Sequence, residues 1–562
     1  VDKKSTIFHF FKQPVCFFGY ANDTMCKTVP GEYSFMKTRV IIDNVTLRPH
    51  EPERVLLDKL IVLYNCKGMA VEKILRKSLD ARKKNNIVHR YRVLVSVEEE
   101  DKQHLLAHDE CSVYNEPVSL TFWTVKKNTR VPIVGAGPAG LFCALALSES
   151  GVGVDLYERG KPVEQRMRDI GQLEQHGILD ENSNILFGEG GAGTYSDGKL
   201  VSRSASAESQ WFFEQMVELG APGNILYDAR PHVGTDKLIP VLKNLRGLLE
   251  KRGCRFHFSR MLTDILVRDD RLFSFSINDE QMQGSPFLVL ATGHSARGVY
   301  DILFRRGVSL QPKGFAAGLR VEHPVELINA IQYGESWEKK GLPAAEYRLA
   351  WKNPKTGRGV YTFCMCPGGE IVNSSSEQDM LCINGMSYSQ RNGNYSNAAV
   401  VVTVHPADFG NTPLGGVEFQ RALESAAFGV AGGGFAAPVQ RVTDFVDRKI
   451  SRGDVTATYS PAVSGVDMTE ILPEWIYGEI AQGIVQFGRK MKGYYSNEGI
   501  CAGVETRTSS PVRITRDESY QSVSCSGLVP VGEGAGYAGG IVSSAVDGIR
   551  AAKKIIAYYE NV

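Results

Sequence analysis

The chain of 562 residues has almost no excess charge of either sign: 64 Lys and Arg stand against 63 Asp and Glu. With a net charge of +1 there is no global field to draw it to nucleic acid or to an anionic membrane. Long hydrophobic runs are also missing. The longest, Val131 to Leu147, is interrupted by three glycines and two prolines, so no stretch reads as a transmembrane span. Eleven cysteines are scattered without paired spacings, which argues against a disulfide framework and for a reduced, cytoplasmic setting. There is no internal repeat of solenoid period. Residues 1–35 lack both an initiator Met and the regular organisation that begins after Met36. They read as an extension, disordered or left from an organellar leader.

What the chain does have falls into blocks. Residues 36–126 read as a small α+β module: "RVIIDNVTL" alternates as a strand, and "EPERVLLDKLIVLYN" has helical spacing at Val55, Leu56, Leu60 and Leu63. "VEKILRKSL" and "NIVHRYRVLVSV" follow as strands around a polar turn. Between Lys73 and Arg92, eight Lys or Arg face one acid, Asp80. A solvated hairpin is the plainer reading of this basic face. A patch for RNA or a protein partner, centred on Lys83, Lys84 and Arg90, is the alternative.

From 127 to 312 the pattern is α/β, and from 313 to 499 short alternating segments such as "GFAAGLRVEH" and "AAVVVTVHP" suggest a mostly antiparallel sheet. From 500 to 562 the α/β character returns. The expected fold is a Rossmann-like dinucleotide domain, interrupted by an antiparallel β insertion and preceded by the small module.

The first functional motif is "VPIVGAGPAGLF". Gly135 permits the tight strand-to-helix turn, Gly137 lets backbone approach a pyrophosphate, and Gly140 allows close helix–sheet packing. With Pro138 and Ala139 these residues form the candidate phosphate cradle at a helix N-terminus. Glu158 ends the next strand, where a carboxylate can accept hydrogen bonds from ribose hydroxyls. Arg159 beside it is compatible with a 2′-phosphate or with FAD.

A second match, Gly534-Ala-Gly536-Tyr-Ala-Gly539, stands too near the C-terminus to found a nucleotide domain. Only one amphipathic helix follows it, with no second strand and no acid to end one. It therefore reads as the far side of the first site.

Six further segments carry a specific likeness: "FGEGGAGTYSDGKL", "ATGHSAR", "CMCPGGEIV", "NGMSYS", "GVETRTSSP" and "GEGAGYAGGI". With the first fingerprint, they make the chain resemble the two-dinucleotide-binding-fold flavoproteins. Within these it is most similar to the uncharacterised FAD-dependent, NAD(FAD)-utilising dehydrogenases, over nearly everything from Met36 onward. The resemblance implies non-covalently bound FAD. It places Gly190, Gly191, Thr194 and Ser196 over the pyrophosphate and ribityl chain, and Ala291, Thr292 and Gly293 on a strand returning to the cofactor. The backbone of Leu262 would meet the adenine. Gly532 and Glu533 would serve the ribityl hydroxyls, and Gly539, Gly540 and Ile541 the flavin carbonyl edge. Two positions depart from the pattern. Glu533 replaces the usual Asp, as in the barrel-insertion branch of these proteins, and Gly298 stands where the group carries Asp.

Flavin disulfide reductases place two cysteines in the first helix; here it offers only Cys143, which argues against that chemistry. Cys364 and Cys366 read as strand residues, and no metal site is expected. The catalytic residues stay open. Arg507 and Glu505, with Thr508 and Ser509, are candidates just before the terminal strand, and Arg320 and His323 come from "GLRVEHP". These features together suggest an FAD-dependent oxidoreductase moving a hydride to or from an unknown small substrate, with NAD(P)H able to act as a transient reductant. The alternatives are an RNA-associated or RNA-modifying flavoprotein, and a redox sensor with structural FAD.

Overall fold

The computed structural model describes residues 37–126, 128–201, 206–283, 285–338 and 341–560. The expected extension over 1–35 lies outside them. At the centre is a five-stranded parallel sheet, in the order Leu528–Pro530, Leu288–Leu290, Arg130–Val134, Gly153–Glu158, Arg255–Phe258. Its strands are apolar runs because both faces are covered. The helix Pro138–Glu149 is buried without a break from Ala139 to Leu147. It packs along the terminal helix Ile541–Glu560; of the amphipathic face expected at Ile541, Ala545, Ile549, Ala552 and Ile556, the last four are buried and Ile541 is partly buried. The close approach requires Gly548, where a Cβ would lie 2.0 Å from the carbonyl oxygen of Ala139.

Above this layer lies a seven-stranded, mostly antiparallel sheet, hereafter the cap. Its order is Ala350–Lys352, Gly359–Cys366, Tyr395–Val404, Phe315–Pro324, Ile500–Glu505, Ala437–Arg441, Val463–Gly465. The helix Glu474–Lys490 covers one face with Ile476, Ile480, Ile484 and Phe487. The other face looks towards the parallel sheet. The strand Ile500–Glu505, expected to reopen the nucleotide domain, pairs with Phe315–Pro324 and Ala437–Arg441 inside the cap. Its apolar sequence suits either sheet. The chain passes back at Val512–Ile514, which pairs with Leu310–Pro312.

The N-terminal module is a four-stranded antiparallel sheet in the order Ala70–Asp80, Val88–Val97, Thr38–Leu47, Cys111–Val113. Its helix Leu56–Tyr64 buries Leu56, Leu60 and Tyr64, while Leu63, expected on that stripe, is exposed. A one-residue offset of the stripe accounts for this, since the buried face continues from Leu60 at Tyr64, four residues on, rather than at Leu63, three residues on. The basic hairpin does not stand free. The Lys77 backbone exchanges hydrogen bonds with Tyr227 and Ala229, and Leu79, Ala81 and Ile87 pack on the cap core. Arg90 is paired with Asp80.

Candidate active site

The two motifs that were far apart in sequence meet at one cavity of about 1250 Å³ between the parallel sheet and the cap. Gly135 turns with φ +107°, and a Cβ there would lie 2.3 Å from the Ala291 carbonyl oxygen. Gly140 sits behind the turn, where a Cβ would meet the Gly135 carbonyl oxygen at 1.9 Å. Gly137 differs: its φ is −80°, and a Cβ would meet nothing closer than the Gly191 Cα at 3.9 Å. That open space beside a helix N-terminus is what a pyrophosphate requires, so the residues present fit a dinucleotide.

Glu158 is anchored rather than loose. Its carboxylate accepts from the N–H groups of Ala136 at 2.8 Å, Gly160 at 2.9 Å and Gly188 at 3.0 Å. Two oxygens have capacity for about four hydrogen bonds, which leaves room for a ribose hydroxyl. Arg159 stacks 4.0 Å above the Phe187 ring and donates to Asn182 at the same end of the cavity.

All the sequence-derived cofactor residues line the cavity except Gly140, Gly190 and Thr194. These three support the loop from behind. The Gly190 N–H donates to the Ala136 carbonyl, a Cβ on Gly190 would strike the Thr194 hydroxyl, and Thr194 donates to the Glu189 carbonyl. The Ser196 hydroxyl donates to the Gly193 carbonyl and accepts from the Gly198 N–H, fixing the loop's turn.

At the opposite end, the N-terminus of the helix Ile541–Glu560 opens on the cavity beside Glu533. The Gly532 N–H donates to Asp547, itself held by a two-pronged contact from Arg516. Burial pushes the Glu533 carboxyl up to about 7, against the opposing pull of Lys313. His294 lies beside it, with Nδ1 3.6 Å from the Glu533 carboxyl and Nε2 3.1 Å from the Arg507 carbonyl. Burial, with the cations of Arg507 and Arg297, takes this imidazole down to about 3, so it is neutral. Nε2 then donates to the carbonyl, and Nδ1 is left as an acceptor on the side of Glu533.

The four catalytic candidates separate. Arg507 and Glu505 line the cavity; Arg320 and His323 do not. His323 is buried, with Nε2 2.7 Å from the Tyr494 carbonyl and its ring 4.7 Å from that of Tyr494. It is a core histidine on the strand face turned from the cavity. Arg320 is fully buried and donates to Glu505, Asn397, Asn384 and the Cys364 carbonyl, which uses up its fork. Burial raises the Glu505 pKa, opposed by Arg320.

Arg507 grips Glu424 at 2.9 and 2.6 Å, and Arg297 grips the same carboxylate from the parallel-sheet side at 2.9 Å. This makes Arg507 part of a clamp between the layers. Thr508 closes the edge of the cap by exchanging hydrogen bonds with Ala316, and Ser509 accepts from Lys313.

Sequence reasoning missed the cap wall of the cavity. Glu346, Arg348, Tyr361, Phe363 and Cys364 line it, and Lys199 and Arg230, from the segment before the cap, line the cavity as well. Cys364 has φ +40° at a bulge where strand pairing skips from Phe363 to Cys366, and its thiol turns to the cavity. Burial raises that thiol to about 12, which argues against a resting thiolate nucleophile.

Comparison with known proteins agrees with this geometry. Residues 314–508 match the family model described as FAD-dependent protein, C-terminal domain-like, and residues 133–169 match the NAD(P)-binding Rossmann-like domain. An uncharacterized protein of Clostridium beijerinckii is 41% identical over 527 residues, covering 92% of this chain and 99% of its own. The chain belongs to the same family as this relative, and its cofactor is FAD.

Solved structures similar to it include the flavin-dependent brominase Bmp2, at 14% identity and TM-score 0.33 over 77% of this chain and 83% of that one. The flavin-dependent halogenase CmlS is 12% identical, with TM-score 0.35 over 78% and 58%. A flavoprotein/dehydrogenase from Cytophaga hutchinsonii is 12% identical, with TM-score 0.33 over 77% and 79%. Among the described residues no helix is long and apolar enough to cross a membrane.

Proposed function

We propose that the protein is an FAD-dependent oxidoreductase acting on a small molecule enclosed between bound, non-covalent FAD and the cap sheet. The observation that carries this reading is the single cavity in which both glycine motifs and the cap strand Gly359–Cys366 converge. FAD, when bound, supplies the two-electron hydride chemistry.

The chain's own residues bind, orient and exclude water. The Gly135–Gly140 turn and the N-terminus of its helix would hold the pyrophosphate, and Glu158 the adenosine ribose. Glu533 would meet the ribityl hydroxyls. The dipole at the start of the helix Ile541–Glu560 favours negative charge placed against it. The layer clamp Arg297–Glu424–Arg507 keeps the cap closed over the site. Glu505, a cavity-lining acid with a raised pKa, can hold or release a proton there. Because the terminal fingerprint is built into this site, NAD(P)H has no separate Rossmann unit among the described residues and would act as a transient reductant.

The test is the visible spectrum of the purified protein, followed by anaerobic titration with NADH and NADPH. A yellow protein bleached by either supports the reading. A folded protein that stays colourless after reconstitution with FAD would falsify it.

A further inference from the structure

The cavity is larger than the 300–1,000 Å³ or so of an ordinary small-molecule site. Part of it lies beyond every fingerprint residue, against the cap. Two extended segments shape this lobe by simple alternation. In Gly359–Cys366, Val360 and Thr362 are buried in the cap, so Tyr361 and Phe363 turn to the cavity. In 345–349, Ala345, Tyr347 and Leu349 join the cap core, so Glu346 and Arg348 take the opposite side. The result is an aromatic roof with a charged rim.

That rim is not neutral. Beside the Glu505–Arg320 pair, which is self-neutralising, Asp197 and Glu346 are its two carboxylates. Arg391 bridges them, with a contact of 2.8 Å to Glu346. Lys199 adds a contact of 3.2 Å to Asp197, and Arg230 one of 2.9 Å to Glu346. Three cations therefore meet two carboxylates. Arg348 adds a fourth cation, with no carboxylate within ion-pair distance among the described residues. An excess of positive charge on the wall of a partly enclosed space concentrates anions there, and an unpaired guanidinium matches a carboxylate as a two-pronged donor.

We propose that this lobe is the substrate site, and that it takes a small organic carboxylate with an apolar, planar body. The carboxylate lies at Arg348 and Lys199, and the body lies beneath Tyr361 and Phe363. Planar apolar groups stack favourably on such rings, and the anion supplies the missing counter-charge. The assignment rests on the flavin reading above and adds to it the chemical class of the substrate.

Benzoate and benzamide, alike in shape and different in charge, serve as probes of the FAD-loaded protein. Benzoate should perturb the visible absorption of the bound flavin saturably, with benzamide at least tenfold weaker. Arg348→Met, at an exposed position, should weaken benzoate at least tenfold and leave benzamide unchanged. Tyr361→Ala should weaken both. Saturation-transfer NMR on the same samples reports probe binding whether or not flavin is present. A yellow protein that binds the two probes equally, or binds neither, overturns this inference and leaves the flavin reading standing. Benzoate binding untouched by Arg348→Met also overturns it. A protein that cannot take up FAD, yet binds benzoate through Arg348, overturns the flavin reading instead.

Discussion

On the parallel-sheet side of the cavity the chain presents backbone. Gly135, Gly137, Gly191 and Gly293 bring main chain to the surface, and Glu158 is tied to three N–H groups. On the cap side it presents side chains fixed by one another: Arg320 with Glu505, Arg507 with Glu424, Arg391 with Asp197 and Glu346. The first wall suits a ligand whose shape never varies, since backbone cannot be exchanged by point mutation. The second can be retuned residue by residue while the fold stands. A constant cofactor and a family-specific substrate call for that division.

Breaking the first wall should have the largest effect. Gly140→Val places atoms where even a Cβ would be 1.9 Å from the Gly135 carbonyl oxygen, a contact that only backbone movement can relieve. The cost should be at least about 3 kcal/mol. The expected outcome is loss of soluble folded protein, read by expression yield and circular dichroism.

The equivalent break in the cap wall is Glu424→Ala. It leaves Arg297 and Arg507 buried without their shared carboxylate. Stranding a buried charge costs roughly 3–5 kcal/mol, measurable by denaturant unfolding. If unfolding shows a loss below about 1 kcal/mol, the clamp between the layers is not structural.

The contrast between the walls also explains what was legible in the sequence. The glycine turn, Glu158 and the terminal helix could be read because each motif must be local: a strand, a turn and a helix N-terminus adjacent in the chain. The structure places the helix that follows "GAGYAG" against the first one. The cap wall could not be read in this way. Lys199, Arg230, Glu346 and Arg391 come from four separate segments, and nothing local marks them as one network. Arg320 and His323 misled for the same reason: polar residues on an alternating strand divide between two faces, and only the packing of Tyr494 shows that His323 faces inward.

A smaller effect separates Glu533 from the clamped acids. Its pKa is raised above the ordinary carboxylate value, to about 7, so the folded chain keeps a proton that the unfolded chain loses. Stability from this group is present at low pH and is lost as pH rises from about 4.5 towards 7, by up to about 3 kcal/mol. In cofactor-free protein, wild type should lose stability relative to Glu533→Gln between pH 5 and pH 8. Because Glu189 and Glu322, also raised to about 7, are present in both proteins, their contribution cancels in the difference. Parallel stability curves for the two proteins would show that Glu533 is ionised throughout and solvated.

The smallest effect on the fold should be the most informative about the cofactor. Gly137 is the N-cap of the helix Pro138–Glu149, at φ −80°, with open space where its Cβ would point. Asp is a better N-cap than Gly by a few tenths of a kcal/mol, and its charge suits the helix dipole. Gly137→Asp should therefore leave the melting temperature of the cofactor-free protein unchanged or slightly raised. The same carboxylate would occupy the place of the pyrophosphate and repel it, so FAD should no longer copurify or bind on reconstitution. Unfolding of the variant would mean that Gly137 serves packing, as Gly140 does. Retention of FAD at wild-type affinity would mean that the pyrophosphate lies elsewhere than at this helix N-terminus, and the division between a backbone wall and a side-chain wall would fall with it.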